Sequence, residues 1–349
     1  MGEAEMKFRK NIERITPYIG GSERRDVVRL SNNENPLGTS RRAIEAAKGV
    51  GSLALYPDVE CRKLRAALAK KLGIEEKRLI VGNGCDDILQ ILFQVFCGEG
   101  DGLVTQYPTF PIYRQLAEVR ELKLAEVPLG KGFSFDAGRY LDAISDKTKL
   151  AVVCNPNNPT GTVVGMGDLR KIAEKANALI VDETYYLFAG CGASELVDEY
   201  DNVIIARSLG KDYGLAGARV GYAIASEKVV GQMYKVRLPY SVNEYAQRAA
   251  AGALEDDEFI QKTVRAVKGG RTYLERELKR LGLKAYPSGG NFVFVQVDDA
   301  KGISLRLMAK GISIRKYGKL RGFEKEYIRI SVGTEEQNKR LVAALEEMK

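Results

Sequence analysis

The chain has 349 residues, 45% hydrophobic and 29% charged, with a net charge of +8 and no histidine. That balance supports a folded core and about two or three domains; no run approaches the ~20 apolar residues of a membrane helix. Without histidine, a Ser-His-Asp triad and a histidine-bound metal are excluded, so proton transfer near neutral pH falls to a tuned Lys, Tyr, Asp or Glu or to a cofactor.

The opening MGEAEMKFRK lacks the apolar run of a secretory signal, and Met6 stands where a myristoylation site has Ser or Thr. Residues 1–30 read as an arm. Leu64, Leu68 and Leu72 share one helix face at a spacing of four. The strand Leu79-Val81 follows, then a helix carrying Ile88, Leu92 and Phe96 behind a cap near Asp86. Further strands are expected at Leu103-Thr105, Leu150-Cys154, Leu179-Asp182, Val203-Arg207 and Val220-Ala225. Strands alternating with helices predict an α/β domain, a mostly parallel sheet covered on both faces, with its active site beyond the carboxyl ends of the strands. After about residue 240 the pattern changes. A helical stretch from Asn243 to Leu281 leads into strands Asn291-Val297, Ile312-Arg315 and Tyr327-Val332 and a last helix, Glu335 to Met348. This predicts a large domain over 31–240 and a small α+β domain over 241–349.

Cys61, Cys85, Cys97, Cys154 and Cys191 are scattered, odd in number and without metal-ligand spacing. They read as reduced thiols of a cytoplasmic protein. The basic residues are mixed with acids, and the densest stretch, Lys262 to Arg280, carries Glu275 and Glu277. That is the wet face of a helix, so the positive charge points to small acidic metabolites rather than to nucleic acid or a membrane.

The segment Ser208-Leu209-Gly210-Lys211-Asp212-Tyr213-Gly214-Leu215-Ala216-Gly217-Ala218-Arg219 follows an apolar strand. A lysine in a Gly-rich loop at a strand end is placed for a Schiff base. Arg219 can clamp a phosphate through its planar fork, and Ser208 can add a hydroxyl. By spacing alone, a surface lysine in a turn and a structural arginine fit equally well. Asn155-Pro156-Asn157-Asn158-Pro159-Thr160-Gly161 follows another strand and by itself is a turn. Asp182-Glu183-Thr184-Tyr185 ends a strand with a carboxylate that also suits a helix cap. Gly82-Asn83-Gly84-Cys85-Asp86 joins strand to helix, where backbone N–H groups attract phosphate. It lacks the Gly-Lys-Ser/Thr ending of a nucleotide loop and the third glycine of a dinucleotide fingerprint.

In this order and spacing the four elements resemble the fold type I pyridoxal-phosphate enzymes, specifically the class I/II aminotransferases, over nearly the whole chain. Within that group the chain is most similar to the histidinol-phosphate aminotransferases. The supporting segments are Ile15-Thr16-Pro17-Tyr18, Ser31-Asn32-Asn33-Glu34-Asn35-Pro36-Leu37-Gly38, Tyr56-Pro57-Asp58, Tyr107-Pro108-Thr109-Phe110, Pro287-Ser288-Gly289-Gly290-Asn291-Phe292 and Ile328-Arg329-Ile330-Ser331-Val332-Gly333-Thr334.

The resemblance implies a large domain built on a mostly parallel seven-stranded sheet, as in aspartate aminotransferase. It implies that Lys211 carries pyridoxal 5'-phosphate as a Schiff base and moves the proton at the substrate α-carbon. Asp182 would pair with the ring nitrogen and keep it protonated, so that the ring accepts electrons. Tyr185 and Asn158 would bond the ring's phenolic oxygen, and Phe110 would stack on the ring. Ser208, Arg219 and the backbone of Gly84, Cys85 and Asp86 would hold the cofactor phosphate. Tyr56 would reach that phosphate from a neighbouring subunit, which implies a homodimer with shared sites. Arg329 would take the substrate α-carboxylate, with Asn33 or Asn291, and Tyr18 and Arg315 would face a distal phosphate.

The implied reaction moves the amine of L-histidinol phosphate to 2-oxoglutarate. An aromatic or broad-range aminotransferase and a threonine-phosphate decarboxylase are alternatives of the same group. A non-catalytic cofactor-binding module is an alternative of another kind; the roughly 30 residues before the first motif are too few for a helix-turn-helix domain with its linker. Two positions depart from the family. Gly210 replaces the usual hydroxyl residue before the lysine, and Cys85 stands where the family has a small or hydroxyl side chain.

Overall fold

A computed structural model describes residues 6–17, 20, 24, 26–52 and 54–348. In these residues the strands are β1 (Val28–Leu30), β2 (Leu79–Gly82), β3 (Gly102–Tyr107), β4 (Lys123–Pro128), β5 (Thr148–Cys154), β6 (Leu179–Asp182), β7 (Val203–Ser208), β8 (Gly221–Ile224), β9 (Lys284–Tyr286), β10 (Phe292–Val297), β11 (Ile312–Lys319) and β12 (Glu326–Ser331). Seven of them form one sheet in the order β2-β8-β7-β6-β5-β3-β4. β8 runs antiparallel to both its neighbours, and the pairings from β7 through β4 are parallel. This is the mostly parallel seven-stranded sheet that the resemblance implied.

Alternate residues of the central strands go to opposite faces, and both faces are buried. Leu179 and Val181 of β6 join Leu64, Leu68, Val104 and Val153 on one side. Ile180 joins Ile88, Leu92 and Val152 on the other. β4 was not expected from the sequence. It is an edge strand whose side chains are mostly half-buried or exposed, with only Val127 buried, so its apolar signal is weak.

The second sheet has the order β1-β11-β12-β10-β9, with β1 parallel to β11 and the other pairs antiparallel. β1 lies at the end of the expected arm, so that stretch contributes a strand rather than only a tail. The helical stretch expected as one piece is two helices, Glu244–Leu254 and Asp257–Arg280. Asp256 divides them, its carboxylate accepting the Phe259 N–H at 3.2 Å as a cap. Ala246, Ala249, Ala250 and Ala253 of the first helix pack in the same cluster as Ala43 and Leu68. Close approach is required there, because a Cβ on Gly252 would lie 2.8 Å from the Arg42 carbonyl. Residues expected to open the small domain therefore pack against the first sheet's layer. Among the described residues, no helix is long and apolar enough to cross a membrane.

Candidate active site

The carboxyl ends of β5, β6 and β7 open into a cavity of about 620 Å³. Cys154, Asp182 and Ser208, the last residues of those strands, face it, with Lys211 and Arg219 from the loop after β7. Cys85 and Asp86 enter from the first turn of the helix Cys85–Phe96, which follows β2. Phe110, Asn158 and Tyr185 come from the loops after β3, β5 and β6. Asn33, just after β1, and Arg329 on β12 complete the wall from the second sheet. Segments nearly 300 residues apart in sequence thus meet at one edge.

Asp182 is 3% exposed. One of its oxygens accepts from the Thr184 N–H at 3.1 Å and the Thr184 hydroxyl at 2.7 Å; the other accepts from the Tyr113 hydroxyl at 2.6 Å. Burial pushes its carboxyl above the ordinary range, and these donors oppose that. The Lys211 ammonium donates to the Asn32 carbonyl at 3.0 Å. Burial first, then the charges of Arg329 and Arg219, lower it to about 8, which makes a neutral amine accessible near neutral pH. Tyr185 accepts from the Asn33 side-chain amide at 3.0 Å and meets Phe292 edge-on at 5.2 Å. Burial raises its phenol, so it stays a neutral donor and acceptor.

Arg329 is 6% exposed. Its guanidinium donates to Asn158 Oδ1 at 2.5 Å and to the Ser31 carbonyl at 2.6 Å, while Nε has no partner among the described residues. A buried cation with an open donor suits an anionic ligand. Arg219 donates to Asp86 at 2.7 Å. Gly84 has φ +86°, and a Cβ there would stand 2.6 Å from the Arg219 guanidinium; only glycine leaves the guanidinium beside the helix N-terminus. An arginine, a twelve-residue helix's free N–H groups and the Ser208 hydroxyl are the donors a phosphate needs. Ser208 Oγ also accepts the Gly210 N–H at 3.0 Å, so the glycine before the lysine contributes a backbone bond. A phosphate cradle at one end, a carboxylate on the floor and a lysine of lowered basicity between them fit the cofactor implied by the resemblance.

Not every expected residue meets the cavity. Gly84 does not line it and lies against the Arg219 guanidinium. Tyr56 is 81% exposed and stacks on Tyr240 with ring centroids 4.5 Å apart; it does not line the cavity. Asn291 is fully buried, donating to the Asn33 carbonyl at 3.0 Å, so it braces the wall rather than facing the ligand space. Arg315 sits opposite Arg329 in the β11–β12 pairing and also does not line the cavity. Tyr18 lies outside the described residues.

The description "Aminotransferase class I and II" matches residues 25–345. The chain belongs to this aminotransferase family. A histidinol-phosphate aminotransferase of Moorella thermoacetica is 37% identical over 362 residues, covering 98% of this chain and 93% of the relative. One from Methanosarcina mazei is 36% identical over 345 residues, covering 97% and 92%. Among solved structures, histidinol-phosphate aminotransferase from Sinorhizobium meliloti, in complex with pyridoxal-5'-phosphate, superposes with a TM-score of 0.90 at 26% identity, covering 99% of this chain and all of that one.

Two buried neighbours of the site are given no role by the aminotransferase resemblance. Tyr113 looks like one more apolar contact on the helix Ile112–Val119, yet its hydroxyl touches Asp182. Asp212, beside the lysine, is 1% exposed; Oδ1 accepts the Tyr213 N–H at 2.9 Å and Oδ2 has no partner among the described residues. The nearby cation, Arg207, is paired with Glu183 at 2.7 Å. Burial pushes Asp212 up to about 7 from an ordinary 3.8. Between those two values the folded chain keeps a proton that the unfolded chain releases, so stability falls as pH rises from about 4 through 7. Asp212→Asn removes this loss. The variant should match the parent in urea melts at pH 4 and exceed it at pH 8, by on the order of 4 kcal/mol. Equal stabilities at pH 8 would show that Asp212 is ionised without cost.

Proposed function

We propose that this aminotransferase transfers the amine of L-histidinol phosphate to 2-oxoglutarate, giving imidazole-acetol phosphate and L-glutamate, a step of histidine biosynthesis. The observation that carries this reading is the near-full-length likeness to histidinol-phosphate aminotransferases at 36–37% identity, joined to a cavity that holds both Lys211 and the buried Arg329.

Bound pyridoxal 5'-phosphate supplies an electron sink for the carbanion formed at the substrate α-carbon. The residues divide the remaining work. Ser208, Arg219 and the N–H groups of Cys85 and Asp86 would bind its phosphate, and Phe110 would cover its ring face. Asp182 would hold the proton on the ring nitrogen. Tyr185 and Asn158 would bond the phenolic oxygen. Lys211 Nζ would hold the cofactor, and as a free amine it would take the proton from the substrate α-carbon; a basicity lowered to about 8 suits both tasks. Arg329 binds the substrate anion, braced by Asn158 and the Ser31 carbonyl, with Asn33 beside it. Asn291 would assist Arg329 through its bond to the Asn33 carbonyl, and Tyr18 and Arg315 would face the substrate's distal phosphate.

We infer a homodimer in which Tyr56 serves the neighbour's site. Its exposure, its stacking on Tyr240 and the further exposed side chains Leu55, Leu238 and Tyr245 support this. The five free cysteines support a reducing, cytoplasmic setting. The same reading divides the chain into an arm, a large cofactor domain and a small α+β domain, with β1 and the helix Glu244–Leu254 reaching across those borders.

The test is an amino-donor panel with 2-oxoglutarate: histidinol phosphate, phenylalanine, tyrosine and threonine phosphate, with Lys211→Ala as the blank. Histidinol phosphate should give the highest kcat/KM. Good turnover of the aromatic amino acids with none of histidinol phosphate overturns the assignment, and carbon dioxide release from threonine phosphate would make the chain a decarboxylase.

A further inference from the structure

Asp182 poses an electrostatic problem. It is buried, and desolvation together with the charge of Asp86 disfavours its ionised form. A carboxylate that is to hold a proton on a ring nitrogen must nonetheless be charged. In the structure the influences that favour its charge are three hydrogen bonds, two from Thr184 to Oδ1 and one from Tyr113 to Oδ2. The Tyr113 bond is the shortest, at 2.6 Å, as expected for an O–H donor to an anion.

Tyr113 is itself fully buried, and burial keeps its phenol neutral, so its proton stays in place as a donor. Its ring meets the Phe110 ring edge-on, at 5.9 Å and 87°. The side chain expected to cover the cofactor and the one that holds Asp182 therefore stand on one short segment and brace each other. Cys154 is also within reach of the phenol, but a thiol is a weak acceptor and leaves the hydroxyl to the carboxylate.

We propose that Tyr113 is a positioning residue of this site: its hydroxyl fixes the direction and the charge of the Asp182 carboxylate, and through it the affinity for the protonated ring nitrogen of the cofactor. The proposal rests on the aminotransferase reading of Asp182 but not on which amine is the donor.

The test uses apo-protein titrated with pyridoxal phosphate, and with an analogue that has carbon in place of the ring nitrogen. Tyr113→Phe keeps the ring and loses the hydroxyl. A hydrogen bond to a charged group is worth about 1.5–3 kcal/mol, so pyridoxal phosphate should bind roughly 10- to 150-fold more weakly to the variant at pH 7. Loss of the donor lets Asp182 take up a proton at higher pH, so the acid limb of the affinity profile should move to higher pH. The analogue has no nitrogen to answer Asp182, so parent and variant should bind it alike. Thr184→Val, which removes a donor from the opposite oxygen, should show the same pattern and serves if Tyr113→Phe does not fold. Equal loss of affinity for both ligands, or an unmoved acid limb, would reduce Tyr113 to a packing residue and overturn the proposal. Failure of histidinol phosphate in the donor panel leaves these binding results untouched.

Discussion

Lys211→Ala will yield a folded protein that binds pyridoxal phosphate without a covalent link and transaminates roughly 10⁴-fold more slowly, the upper range for loss of a positioned proton-transfer group. Borohydride will fix the cofactor to the parent and leave the variant unlabelled. Two properties of the site lead to this result. The lysine is the amine within the cavity, tethered by a 3.0 Å bond to the Asn32 carbonyl. Burial and the cations Arg329 and Arg219 hold it near a pKa of about 8, where an ordinary lysine would be almost wholly protonated. The loss is in kcat, since the phosphate cradle and Asp182 remain to bind the cofactor. Activity in the variant comparable to the parent would move the catalytic amine elsewhere.

Arg329→Leu will affect both half-reactions. Histidinol phosphate has no α-carboxylate; its phosphate is an ester of the CH2–O group that takes the place of glutamate's α-carboxylate carbon. One anion site must therefore accept a carboxylate in one half-reaction and a phosphate in the other. Arg329 is buried, held by Asn158 and the Ser31 carbonyl, and has an open Nε donor. Removing one partner of a buried charged pair costs about 2–5 kcal/mol, or roughly 30- to 5000-fold in kcat/KM. Steady-state kinetics with histidinol phosphate and with 2-oxoglutarate should both show it. Arg329→Lys restores the charge without the two-pronged fork, so recovery should be partial. A loss confined to one substrate would mean that the two anions bind at different places.

Much of this was legible in the sequence because the site is made of local motifs at strand ends. β5, β6 and β7 are apolar runs, and the polar residues that follow them are where a parallel sheet puts its chemistry. Lys211, Asp182 and Asn158 could be found that way. β4 was missed because an edge strand carries exposed Lys123 and Pro128, and β1 and β9, at three residues each, are too short for a period-2 pattern to register. The change of pattern near residue 240 looked like a domain border. The alanine-rich face of Glu244–Leu254 instead lets that helix lie close against the helix Arg41–Lys48, a choice made by tertiary packing. Tyr113 was missed because a buried tyrosine on a helix reads as core until its hydroxyl's partner is known. Tyr56 shows the opposite limit: within one chain it stacks on Tyr240 and stays at the surface.

The segment Ser31-Asn32-Asn33 leaves β1 and runs directly along the cavity. Its first carbonyl holds Arg329, its second holds Lys211, and its third residue bonds Tyr185 and Ser331. Three consecutive residues thus tie the anion anchor, the reactive amine and the second sheet to one stretch of backbone. Local opening in a protein follows such shared attachments. The site is therefore expected to open as a single unit: if β1 peels from β11, the arginine and the lysine lose their supports in the same event, and a ligand that engages either one closes that route to unfolding for both.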